Sequence, residues 1–154
     1  MSKQERLHSV KQMNVQWMLL RLMFALPTGL LVYYFLQTDG NPYLAGGSIL
    51  AFTGAAGRLF IREGDFVKGL TESEQAKRIV SIQYRLDYLF VVMMAVVFPL
   101  MMRLHIVTSL IPFILFVGSS VLILYTQHKF DQQLSWVDTE QPTRREIQRT
   151  RFTR

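Results

Sequence analysis

Four apolar stretches, each approached by basic residues, constrain this chain more than any other feature. They cover residues 17–36, 43–61, 86–102 and 106–126. Roughly 20 apolar residues are needed to cross a hydrocarbon core as a helix. The first stretch is broken only by Arg21 and Pro27, the second meets Arg58 and stops before Arg62, and the fourth carries no charge. The third has the fewest uncharged residues and reaches full length only if Arg85 and Asp87 sit at the bilayer surface. The expected fold is therefore all-α and integral to a membrane, with four transmembrane helices and short interfacial helices beside them.

The basic residues set the orientation. Of seventeen Lys and Arg, only Arg103 falls in a connection on the opposite side from the rest. Translocated loops shed Lys and Arg while cytoplasmic flanks keep them, which places both termini in the cytoplasm of a bacterial cell membrane. The organisation that follows is a basic amino-terminal segment (1–16), a four-helix membrane domain (17–126) with an amphipathic cytoplasmic loop (62–85), and a basic tail (127–154). A cleaved leader is disfavoured because Arg21 interrupts the apolar core and no small-x-small site follows it. A single helix through 88–125 would be about 57 Å long, nearly twice the hydrocarbon thickness, so a tight hairpin near Arg103 is expected.

Two soluble segments carry helical patterns. Thr71-Glu72-Ser73-Glu74 matches a capping box, and Ala76, Ile79, Val80, Gln83 and Leu86 follow at helical spacing. This reads as an interfacial helix leading into the third span. In the tail, Phe130, Leu134, Trp136 and Val137 among polar residues suit a short helix on the inner surface, ended by Pro142. Arg21, Arg144, Arg145, Arg149 and Arg151 are the expected contacts to anionic lipid headgroups. Nucleic acid is not an expected partner, since Phe152 is the lone aromatic among the terminal arginines and no recognition fold accompanies it.

The second stretch holds Gly46, Gly47, Ser48, Ala51, Gly54, Ala55, Ala56 and Gly57. Residues four apart share a helix face, so Gly47, Ala51 and Ala55, broadened by Gly54, form a small-residue face. Such faces let helix backbones approach closely in lipid. The expectation is helix packing, within the protomer or between protomers. Pro27, Pro99 and Pro112 lie inside spans and are read as tolerated kinks, with Thr108 and Ser109 able to satisfy carbonyls freed by Pro112. Met93, Met94, Met101 and Met102 are read as packing, and His105 as a surface side chain.

Composition excludes several chemistries. There is no cysteine, hence no thiolate ligand or nucleophile. No Asp, Glu, Lys, Arg or His falls near the middle of a span, where ion-coupled transporters keep a charge. Protease, hydrolase and nucleotide-binding motifs are missing. The sequence thus points to a non-catalytic accessory, assembly or regulatory membrane protein without cofactor or metal, partnered by another membrane protein or by itself. The competing reading is a homo-oligomeric pore or small uncoupled transporter, holin-like in size, with the Gly/Ala face or Ser119-Ser120 lining a path.

Overall fold

The computed structural model describes residues 2–37, 41–104 and 110–150. Every element among them is helical: α1 (Lys3–Leu36), α2 (Pro42–Lys68), α3 (Glu74–Val92), α4 (Phe98–Arg103), α5 (Leu110–Val137) and α6 (Arg144–Thr150). A π-helical turn (Met93–Val97) joins α3 to α4, so that Glu74–Arg103 is one continuous 30-residue rod. Four helices are long and apolar enough to cross a membrane. They run up and down, leaving both described chain ends at one end of the bundle (the near end) and the connections after α1 and α4 at the far end.

Local chemistry explains the boundaries. Ser2 starts α1 with a reciprocal capping box, its Oγ accepting from Glu5 N at 3.4 Å while Ser2 N donates to Glu5 Oε2 at 2.9 Å. Asn41 Oδ1 accepts from Tyr43 N and Leu44 N to open α2, with Pro42 at the first helical position. At α3 the expected cap moves two residues along. Ser73 Oγ accepts from Ala76 N, while Thr71 Oγ1 accepts from Ser73 N and donates to Asp138. Thr143 and Glu146 form a second capping box at α6. The π turn precedes Pro99, whose ring would otherwise meet the carbonyl one turn back; widening the turn relieves that clash.

The amino-terminal segment and the helices expected in the loop and the tail are all continuous with the long helices. Residues 3–16 are the first turns of α1, the loop helix is the start of α3, and 127–137 completes α5. The third apolar stretch is short because its helix passes straight through Arg85 and Asp87.

Two apolar cores result. At the far end, Phe35, Ala45 and Ile49 pack with Leu31, Val32 and Val96. At the near end, Val10, Val67, Ala76, Val80, Leu134 and Ile147 draw five helices together, with Phe66, Leu70, Ile79 and Tyr84 around them. Between the cores runs a belt of exposed apolar side chains, including Leu22, Met23, Leu26 and Leu30 of α1 and Ile114, Leu115, Val121 and Leu122 of α5.

Candidate functional site

The near-end core is threaded by charged and polar side chains that the surrounding helices place inside the bundle. Arg21 projects from α1 toward α2, where it forms an ion pair with Glu63. Glu63 is only 5% exposed. Its other oxygen, Oε1, accepts from the Tyr84 hydroxyl of α3 at 3.2 Å, and the Arg21 guanidinium lies 5.0 Å from the Phe60 ring centroid. Three helices thus converge on one carboxylate. A buried carboxylate requires such partners, because desolvation penalises an isolated charge heavily.

In a second group, Arg144 bridges α3 and α5. Its side chain pairs with Asp87 and its backbone N–H donates to Asp131 Oδ1 at 3.1 Å. Gln127 Nε2 donates to Asp87 Oδ1 at 2.7 Å, and Gln83 Nε2 donates to Asp131 Oδ1 at 2.8 Å.

The final layer holds the tail. Arg6 Nη1 donates to Asp138 Oδ2 at 3.1 Å and to Gln141 Oε1 at 3.2 Å, and Thr71 Oγ1 donates to the same Asp138 oxygen at 2.5 Å. Gln141, fully buried, donates from Nε2 to the Val67 carbonyl at 3.0 Å. Lys3 closes the layer with Glu146 at 2.8 Å. Burial works against ionisation of Asp138, yet the hydrogen bonds from Thr71 and Arg6 outweigh it and hold its carboxyl below the usual range. For Glu146 burial is likewise overcome, by the Lys3 hydrogen bond and the bonds from Thr143. This arrangement is a brace: it locks the segment after α5 against α1, α2 and α3. Among the described residues, no three His, Asp or Glu gather closely enough to hold a metal ion.

The residues singled out from sequence fall elsewhere. Gly47, Ala51 and Gly54 are exposed and Ala55 half-exposed. A methyl group added at Gly47 or Gly54 would meet nothing within 4 Å, so this face does not pack within the chain. That work is done by Gly57 and Gly64. A Cβ on Gly57 would lie 2.8 Å from the Tyr88 ring, and one on Gly64 would lie 3.1 Å from Tyr84. Gly46 faces Phe35 at 3.5 Å. Of the arginines expected at headgroups, Arg21 and Arg144 turn instead to carboxylates inside the protein, because those carboxylates are buried and need a cation. Arg145 and Arg149 are exposed on α6. Arg151, like His105, Thr108 and Ser109, lies outside the described residues. The sequence reading overlooked Glu63 and Asp87. The signal was there: an arginine one turn inside a span needs a counter-ion, and Glu63 follows the adjoining span at matching depth.

At the far end Arg103 donates to the carbonyls of Phe35 and Gln37 and stacks 4.9 Å from the Phe35 ring centroid, closing the carboxyl end of α1. An apolar crevice of about 670 Å³ lies beside it, bounded by Phe35, Ile49, Val96 and Pro99. Comparison with family profiles, curated proteins and solved structures finds no match.

Proposed function

We propose that the protein is a multi-pass subunit of a bacterial cell membrane, with both termini cytoplasmic, that serves as a non-catalytic accessory, assembly or regulatory component. The exposed belt supports the setting. On α1 it runs from Met18 to Leu36, about 27 Å at 1.5 Å per residue, close to the hydrocarbon thickness. Where the belt gives way to the braced near end, Arg58, Arg62 and Arg85 are exposed at headgroup level. They join Arg145 and Arg149 as contacts to anionic lipid, worth about 1 kcal/mol for each residue close to the surface.

The observation that carries the role is the open small-residue face of α2. This helix already uses Gly57 and Gly64 to receive α3, and Gly47, Ala51 and Gly54 offer a further small surface that its own chain leaves uncovered. Small faces are how helices recognise one another in lipid, since no hydrophobic effect drives them together there. The occupant is another membrane protein or a second copy. The pore reading draws less support: the Ser119 and Ser120 hydroxyls both donate to the Phe116 carbonyl, each at 2.9 Å, and so are turned to their own helix.

Reconstitution of the purified protein into liposomes tests this reading. The accessory role predicts ion and solute leakage equal to that of empty vesicles. Selective, protein-dependent flux would move the protein to the pore or transporter class.

A further inference from the structure

We infer that the groove between the start of α3 and the end of α5 receives an acidic, amphipathic segment of a partner protein, an inference that rests on the accessory reading above. The groove has a volume of about 730 Å³ and is walled by Gln75, Arg78 and Ile79 on one side and Lys129, Gln132 and Trp136 on the other.

No carboxylate answers its charge, and Lys129 has only the Tyr125 ring, 5.5 Å from its ammonium. Along this end of the molecule several cations are answered by neighbours: Lys68 by Asp65, Lys77 by Glu74, Lys3 by Glu146 and Arg6 by Asp138. Among the described residues, no carboxylate pairs with Arg78 or Lys129, and none lines the groove. Two exposed cations facing one channel call for anionic groups, and an Arg in that position favours a planar carboxylate held bidentately.

Its apolar content is also unspent. Trp136 is 88% exposed at the rim, with the half-buried Ile79 in the wall. An exposed indole beside cations has the composition of an interface anchor, and a channel between two helices suits a third helix bearing apolar residues at i, i+4 and i+7.

Distance separates the Trp136 end of the groove from lipid. Tyr125 ends the exposed apolar run of α5, and Trp136 lies eleven residues further along the same helix, about 16 Å beyond it. The headgroup zone is only about 5–8 Å deep on each face, so the Trp136 end of the groove stands clear of it even with a helix tilt of about 40°, while Lys129, four residues past Tyr125, marks the end nearest the membrane. The occupant is a protein segment in water.

The full-length protein in phosphatidylcholine nanodiscs provides the test. Trp17→Phe leaves Trp136 as the single indole reporter. The probes are a synthetic helical peptide with Leu at i, i+4 and i+7 and Glu elsewhere, and its counterpart with Lys in place of Glu. The Glu peptide should blue-shift Trp136 emission to saturation and the Lys peptide should not. Arg78→Gln combined with Lys129→Gln should raise Kd at least tenfold. Fluorescence anisotropy of the labelled Glu peptide on protein retaining Trp17 gives a second readout should Trp17→Phe fold poorly. Equal binding of both peptides, no binding, or an unchanged Kd in the double variant would overturn the inference. So would a shift of Trp136 emission on changing to phosphatidylglycerol discs without peptide, since that would make lipid the occupant. Liposome flux reports separately on the accessory role, so failure of either reading is visible without the other.

Discussion

Arg21 of α1 and Glu63 of α2, 42 residues apart in sequence, form an ion pair on which Tyr84 of α3 also closes. Glu63 is nearly inaccessible while Arg21 keeps about a quarter of its side chain exposed. Removing the cation strands a buried carboxylate. Arg21→Met should therefore cost about 3 kcal/mol, near the lower edge for broken buried pairs because Arg21 is partly solvated. Replacing both, as Arg21→Met with Glu63→Leu, should restore most of that loss. Thermal unfolding of the four proteins in detergent closes the cycle; additive losses would show the two residues to be uncoupled.

Close approach of α2 and α3 depends on Gly57. Alanine there forces a methyl group onto the Tyr88 ring and should destabilise by about 1–3 kcal/mol. Alanine at Gly47, which faces open space, should be neutral or add up to about 1 kcal/mol through helix propensity in the isolated protomer. The same unfolding assay distinguishes them, and an equal cost at both positions would refute the assignment of faces.

Tail docking should respond to acid rather than to neutral pH. Asp138 and Glu146 have folded-state values below their ordinary ones. Their contribution is complete above the ordinary carboxylate range, near pH 4, and is lost as pH falls through the lower folded values. Amide exchange at Ile147 should thus be constant from about pH 8 to pH 5, once corrected for intrinsic rate, and should rise below about pH 4. Deprotection on going from pH 6 to pH 8 would contradict this.

Gln141 secures the same tail by donating to the Val67 carbonyl and accepting from Arg6. Gln141→Leu leaves the buried Val67 carbonyl without this donor, at about 1–3 kcal/mol, and removes one of two acceptors of Arg6 Nη1, which keeps Asp138. Trypsin should then cut after Arg144 and Arg145 several-fold faster than in the parent protein. Unchanged cleavage would mean that the tail is held by other contacts.

Much of the helical layout was legible in the sequence because apolar length and charge act locally. Each of the four long helices carries one of the four apolar stretches, while the capping boxes at Ser2 and Thr143 went unread although both show the same x-x-Glu spacing. The pattern at Thr71 failed because its hydroxyl is drawn to Asp138, a partner 67 residues away. The same reason hid the polar core. Arg21, Glu63, Asp87 and Arg144 look like surface charges until tertiary packing brings opposite signs together. Which small residues pack within the chain was hidden for a related reason: Gly47 and Gly57 are equally small, and only the position of Tyr88 decides which of them is covered.

Photo-cross-linking from Gly54 in native membranes tests the partner-binding claim most directly. With a benzophenone amino acid at position 54, the account predicts one discrete adduct, heavier than the protomer by a single partner or a second copy. The same probe at Leu26, an exposed belt residue on α1, should give none. Lipid adducts alone at position 54, or the same protein adducts at both positions, would contradict it.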